Sequence, residues 1–300
     1  MDCSVNRQRR QLRPVGRRIH GWMRITVMAA EGTSSDKEKK MVLDIYHDEG
    51  ISLIASHNLT NEWHKHICLQ LSLSMHSQAL QLDTEDGSIY AHGLIITSNY
   101  SHRLHTDNQC CLTLLIDLFH PEAHRLQHLV ESAPYKTLNL HQTDRLIPLL
   151  TRALADRAPL AIAQIANILA SSDECYCKPD NRIYKTTLLL DRLEIKKISS
   201  RDVAELVCLS EGRFLHLFKS KVGTNFRRYL LWKRLQDAIK GVASKTSLTD
   251  IANRTGFSDS AHFSRTCKEM YGLAPSTIRL ACVDDEKKAN NDEVSCTLCN

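Results

Sequence analysis

The chain has 300 residues, 42% hydrophobic and 24% charged, with a net charge of +5. That composition is globular, has room for two domains, and excludes fibrous, coiled-coil and wholly disordered classes. Eleven scattered cysteines make no disulfide framework and no apolar run approaches the roughly 18 residues of a membrane span, so a soluble cytoplasmic protein without a membrane partner is expected.

Residues 1–40 hold ten Lys and Arg against four acids, Arg7, Arg9, Arg10, Arg13, Arg17, Arg18 and Arg24 among them, and end in the polar run EGTSSDKEKK. They read as a disordered basic segment: a DNA-contacting arm, or a stretch ahead of a later start at Met23, Met28 or Met41. From residue 41 the charge reverses, with eight basic and sixteen acidic residues over 41–181. Short apolar runs follow one another between polar turns: ISLIASHNL, ICLQLSLSM, QALQLD, GLIITSN and CLTLLIDLF. Such runs predict an all-β sandwich or barrel. Twelve of the fifteen histidines lie between His47 and His141; His64 and His66, two residues apart, would share one face of a strand. Residues 142–170 predict two helices broken at Pro159. Leu146, Leu149, Leu150, Ala153 and Leu154 stripe the first, and Ile162, Ile165, Ala166 and Leu169 the second. These helices could cover the barrel or pair with a second subunit. The domain is therefore bounded as 41–170, and the polar stretch 171–181 reads as a linker.

Residues 182–280 are basic, nineteen Lys and Arg against nine acids, which suits a polyanion partner. They contain one unit twice. Ser199, Asp202, Val203 and Ala204 recur 48 residues on as Ser247, Asp250, Ile251 and Ala252; after one inserted residue, Phe214 and Lys219 recur as Phe263 and Lys268. Each copy is punctuated as a helix-turn-helix. A Ser-x-x-Asp capping box opens the first helix, and Ser210 and Ser258 are placed to cap the second. Gly256 suits the turn, with Cys208 a less comfortable equivalent, and Gly223 and Gly272 suit left-handed C-caps. Phe214, Leu217 and Phe218 fall on one face of the first copy's second helix, and Phe263, Thr266 and Cys267 on that of the other. The faces left outward carry Gly212, Leu215, His216 and Lys219, then Ser260, Ala261, Ser264, Arg265 and Lys268. Small and polar groups with an arginine suit entry into a major groove. Between the copies, residues 225–243 predict one connecting helix whose Arg227, Arg228, Lys233 and Arg234 would meet phosphates or solvent.

Residues 182–281 resemble the DNA-binding domain of the AraC/XylS family of bacterial transcription regulators. The resemblance rests on Ile251, Ala252, Gly256, Phe257, Ser258, Asp259, Phe263, Ser264, Arg265, Gly272, Pro275 and Arg279 in the second copy. In the first it rests on Leu209, Ser210, Phe214, Phe218, Lys219, Gly223, Tyr229, Leu230, Arg234, Leu235 and Ala238. It implies that two recognition helices enter successive major grooves and read bases through Gly212, Leu215, His216, Ser260, Ala261, Ser264 and Arg265. Cys267 departs from the family's usual aromatic.

The stretches NEWHKHICLQLSLSM and GLIITSNYSHRLH resemble the cupin-like sensor domain of such regulators. The cupin pattern of His-x-His, an acid and a later His would place His64, His66, Gln70 instead of the acid, and His102 or His105 around an effector. The expected fold is thus α+β multidomain: a cupin-like β-barrel with flanking helices, then an all-α double helix-turn-helix domain and an acidic disordered tail over 282–300. The expected function is a non-enzymatic, sequence-specific DNA-binding regulator, an activator as most of the family are, with double-stranded promoter DNA, RNA polymerase, a small effector and a second copy of the chain as partners. No cofactor is expected beyond a possible divalent metal. The alternative is a metal-sensing regulator or a cupin-type metalloenzyme using His64, His66 and His102 or His105. Cys296 and Cys299, a lone Cys-x-x-Cys, carry little weight as a metal or redox site.

Overall fold

The structure, a computed structural model, describes residues 21–26, 42–170, 181–190 and 198–278, apart from positions 49, 107, 108, 121, 157, 243 and 245. The expected tail, Arg279, the Cys-x-x-Cys and nearly all of the 171–181 linker lie outside the described residues.

The N-terminal domain is antiparallel throughout. β1 (Gly21–Thr26), β2 (Val42–Asp48), β3 (Ile51–His57), β9 (Cys110–Asp117), β4 (Cys68–Ser74), β7 (Gly93–Ile96) and β10 (Tyr135–Thr137) form a seven-stranded sheet in that order. β6 (Gly87–Ala91), β5 (Leu80–Thr84) and β8 (Arg103–His105) form a second, three-stranded sheet. β1 corrects one expectation: the sheet begins inside the segment 1–40 that reads as disordered. Its GWMRIT run holds strand-forming Trp, Ile and Thr, and the arginine-dense flank concealed them.

The two-residue alternation of strands sorts the large sheet's faces. Leu53, Leu69, Leu71, Leu73, Leu112, Leu114 and Ile116 are buried on one face together with Leu146, Leu150, Ala153, Ile162, Ile165, Ala166 and Leu169. The latter come from α2 (Leu140–Asp156) and α3 (Ile162–Leu169), which with the short α1 (Ala123–Gln127) cover that face. Their buried stripes pack on the barrel, as one of the two readings of these helices expects. The opposite face turns inward and is unusually polar for a core: Ser52, Ser56, Gln70, Ser72 and His47 are all buried. At one end it meets Leu80, Leu82 and Leu104 of the small sheet through Leu94, Ile96 and Cys111.

Six helices follow: α4 (Asn181–Leu190), α5 (Ser200–Leu206), α6 (Glu211–Val222), α7 (Phe226–Val242), α8 (Leu248–Thr255) and α9 (Ser260–Tyr271). Ser199 and Asp202 form a complete capping box, and Ser247 accepts from the Asp250 amide. Gly223 and Gly272 close α6 and α9 at φ +71° and +69°. The α5–α6 turn holds Cys208 at φ +56°, a left-handed conformation that costs a non-glycine residue about 1–2 kcal/mol; Gly256 takes the equivalent role at +88°. One cap differs from expectation. Asp259, not Ser258, caps α9 by accepting from the His262 amide at 2.6 Å. The residue inserted in the second copy shifts the register so that Asp259, not Ser258, stands where Ser210 stands in the first. Ser258 bonds to Asp259 and to His262 Nδ1 instead.

One of the hydrophobic clusters spans the two domains. Ile45, Leu59, Ile67, Cys68, Leu115 and Phe119 of the barrel cluster with Phe214, Phe218, Tyr229 and Ile239 of the helices. Phe119 lies 6.0 Å from the Phe218 ring and edge-on to Tyr229 at 5.8 Å. Beside it Asp117, at the end of β9, accepts from the Tyr229 hydroxyl at 2.8 Å and pairs with Lys233 at 3.1 Å. Lys233 is thereby buried, 3% exposed, which removes it from the residues expected to meet phosphate or solvent.

Candidate DNA-binding faces and the histidine pocket

The outward faces of α6 and α9 come out as the helical period requires. Phe214, Phe218 and Val222 bury α6, and Phe263, Thr266, Cys267 and Met270 bury α9. Cys267 is fully buried, and burial pushes its thiol well above the usual range, so the missing aromatic leaves no exposed gap. Gly212, Leu215, His216 and Lys219 are exposed on α6; Ala261, Arg265 and Lys268 are exposed on α9, with Ser260 and Ser264 half-buried beside them. Lys268 is engaged: its ammonium pairs with Glu62 of the barrel at 2.9 Å. Arg228 of α7 pairs with Glu269 at 3.2 Å, and Arg234 donates to the Gly256 carbonyl at 3.3 Å. Arg227 stays exposed.

The expected effector residues separate into two groups. His64, His66 and His102 come together, with one ring nitrogen of each within 4.8 Å of the others. His64 and His66 do not sit side by side on a strand, as their spacing predicts. They lie in the loop before β4, and a reciprocal pair of 3.0 Å backbone hydrogen bonds fastens His64 to His102. His105 is drawn away: its Nε2 meets Asp83 at 2.8 Å, alongside Arg103 at 2.7 Å. Bonds from Gln81, Arg103, Ser88 and His105 hold the Asp83 carboxyl below the usual carboxylate range.

Each imidazole of the cluster is oriented by a carbonyl at Nδ1: Glu62 O at 2.9 Å for His64, Cys68 O at 3.0 Å for His66 and Tyr100 O at 2.9 Å for His102. A neutral imidazole has one N–H, so donation at Nδ1 leaves Nε2 of His64 and of His102 as a lone pair. His66 differs: its Nε2 lies 2.6 Å from Gln70 Oε1, an acceptor, while Gln70 Nε2 donates to Ser72 Oγ at 3.0 Å. His102 Nε2 is buried with no partner, a deficit worth about 1–3 kcal/mol. Burial, then the neighbouring His66, lowers the His64 pKa to about 3; burial also depresses His66 and His102. All three are neutral at pH 7.

His64, His66 and Gln70 line a cavity of about 60 Å³ between barrel and helices, shared with His47, Ser56, Asn61, Thr113 and a wall of Ile239, Met270, Tyr271, Leu273 and Ile278. It has room for a few waters or a small ion, and sequence reasoning gave no sign of its C-terminal wall, which comes from residues some two hundred positions away.

An antiparallel barrel packed on a doubled helix-turn-helix, with the second helix of each unit facing outward, defines a two-domain class of protein. In residues 203–281 the chain matches the family model described as "Helix-turn-helix domain". It is 30% identical over 158 residues to the transcriptional activator RhrA of Rhizobium meliloti (strain 1021), covering 51% of this chain and 48% of that protein. It is 31% identical over 115 residues to the arabinose operon regulatory protein of Escherichia coli (strain K12), 37% of this chain and 38% of that one. The matched stretches thus span less than half of the length of these curated relatives. In fold it is similar to ToxT from Vibrio cholerae O395, with a TM-score of 0.52 at 11% identity over 79% of this chain and 100% of ToxT.

Proposed function

We propose that this chain is a cytoplasmic, sequence-specific DNA-binding transcription regulator that acts as an activator and is controlled by a small effector bound in the N-terminal β-barrel. The observation that carries this reading is the pair of outward-facing second helices, α6 and α9, within a segment of nineteen basic and nine acidic residues. Matches to the transcriptional activator RhrA and to the HTH-type transcriptional activator RhaS of Escherichia coli O1:K1 / APEC, 36% identical over 104 residues, support activation. Promoter DNA, RNA polymerase and a second copy of the chain are the corresponding partners. Exposed Lys219 and Arg227 suit backbone phosphates, whereas Arg265, Ser264, Ser260 and Ala261 on α9, with Gly212, Leu215 and His216 on α6, face the bases. The relatives are regulators, and the reading involves no catalysis.

The test is selection of binding sites from random duplex DNA by the full chain, followed by salt titration of the winning sequence. The expected result is one site with two half-sites about a helical turn apart, and an affinity that falls steeply with salt as counterions are released. No enriched sequence, or an affinity indifferent to salt, overturns the reading.

A further inference from the structure

We propose that His64, His66 and His102 form a binding site for a divalent transition metal, Zn²⁺ being the ion best matched to three neutral imidazoles, and that the bound ion sets the position of the second recognition helix. The second half rests on the DNA-binding function proposed above; the first half stands apart from it.

The site is built before any ion arrives. Three buried imidazoles converge, and a backbone carbonyl at each Nδ1 orients the ring, leaving Nε2 of His64 and His102 as lone pairs. Carbonyls behind the ligating histidines are the usual second layer of a metal centre. A cluster serving only to fill the core would pair its own polar atoms, yet His102 Nε2 is fully buried and unpartnered. A fourth donor is at hand: Gln70 Oε1 already lies 2.6 Å from His66 Nε2, and a cation bound at that nitrogen would displace its proton. Three nitrogens with one neutral oxygen or a water make the tetrahedral set that Zn²⁺ accepts, and the adjoining cavity supplies room for the water.

The ligand loop is fastened to α9. Glu62, whose carbonyl holds His64, donates its amide to the Gly272 carbonyl at 2.9 Å; Lys65 donates to the Glu269 carbonyl at 3.0 Å, and Asn61 Nδ2 to the Tyr271 carbonyl at 3.1 Å. Gly272 lies so close that a Cβ there would sit 2.6 Å from the Glu62 carbonyl and 2.9 Å from His64 Nδ1. Around Zn²⁺, with bonds of about 2.0–2.1 Å, tetrahedral nitrogens stand about 3.3 Å apart, closer than the 4.8 Å spread found here. Drawing the imidazoles together moves the loop, and the carbonyl bonds carry that movement to the last turn of α9.

The experiment uses the full chain, stripped by chelator and titrated with Zn²⁺ and with Co²⁺ as a spectroscopic stand-in, with DNA affinity measured with and without Zn²⁺. Expected are one tightly bound ion per chain, visible tetrahedral Co²⁺ bands without a thiolate charge-transfer band, a raised Tm, and a DNA affinity that changes at least fivefold. His102→Ala should lower metal affinity at least a hundredfold, and Gln70→Ala about tenfold. Asn61→Ala, which removes the side-chain bond to the Tyr271 carbonyl and leaves the three histidines and their carbonyl partners in place, should still bind metal but respond less on DNA. Since His102→Ala could disturb folding, its unliganded Tm is compared with that of the stripped wild type, and Gln70→Ala gives an independent reading. No stoichiometric ion, a cobalt spectrum showing thiolate ligation, or affinity unchanged in His102→Ala with its fold intact overturns the site. Stoichiometric metal with DNA affinity unaltered overturns the coupling alone. Stoichiometric metal in a protein with no specific DNA site leaves the site standing and removes both the coupling and the regulator reading.

Discussion

The two helix-turn-helix units descend from one sequence pattern but are joined to the barrel differently. The first is held by side-chain packing: Phe119 wedges against Phe218 and Tyr229, and Asp117 takes both the Tyr229 hydroxyl and the Lys233 ammonium in a buried setting. The second is held by backbone hydrogen bonds from a loop, beside a cavity, with an exposed Lys268–Glu62 pair at the edge. A packed apolar joint resists small displacements because close-packed interiors leave no slack. A hydrogen-bonded loop next to a void gives more easily. The difference teaches that a pattern repeated along the chain need not mean equal roles: one unit is anchored and the other is adjustable.

Acid separates the joints most strongly. The folded state depresses the four imidazoles His47, His64, His66 and His102, whereas unfolded histidine protonates near 6.5. Below that value the unfolded chain binds more protons, so the histidines' contribution to stability is full above pH 6.5 and declines as pH falls toward about 3, the value for His47 and His64. Each costs up to about 1.4 kcal/mol per pH unit. Chemical denaturation at pH 7 and pH 5.5 should show a loss of several kcal/mol; equal stabilities would break the argument, since the imidazoles would then be reachable by protons.

Lys233→Ala tests the anchored joint. Stripping one partner from a buried ion pair costs about 3–5 kcal/mol, here tempered by the Tyr229 bond that Asp117 keeps, and the urea midpoint should fall accordingly. A loss below about 1 kcal/mol would mean that Asp117 and Lys233 are hydrated. Gly272→Ala tests the adjustable joint. Its methyl group meets Glu62 and Asn61 at 2.6 Å on a backbone already left-handed, so about 1–3 kcal/mol is expected, together with altered DNA affinity. Unaltered DNA binding by a destabilised variant would show that the loop clamp does not steer α9. The smallest difference concerns base reading. Arg265→Ala should remove about 1–3 kcal/mol of discrimination at one base pair of the second half-site, while Leu215→Ala in the first should change preference little, which site selection on both variants would reveal.

The helix-turn-helix units were legible because their determinants are local. Capping boxes, the φ-positive turns at Cys208 and Gly256 and the αL glycines all act within a few residues, and the one misplaced cap, Ser258 for Asp259, came from a single inserted residue. Five of the ten strands were visible as apolar runs. The edge strands β6, β8 and β10 were not, because strands at a sheet edge are half exposed and their GSIYA, RLH and YKT sequences carry no apolar run. Which histidines converge was beyond reach: His102 rather than His105 joins the cluster because of a backbone bridge to His64 and the competing pull of Asp83. The fates of Lys233 and Lys268 were hidden for the same reason, the Lys268 partner lying 206 residues away.

The core that barrel and helices hold in common has a further consequence for how the molecule melts. Chains built of two domains usually show two heat-absorption peaks, since each half can lose its structure without exposing the other's interior. Here Ile45, Leu115 and Phe119 would be laid bare to water by the loss of either half. Calorimetry of the chain should therefore trace one peak, its van't Hoff enthalpy equal to the measured heat, if the barrel and the helical domain melt as a single cooperative unit.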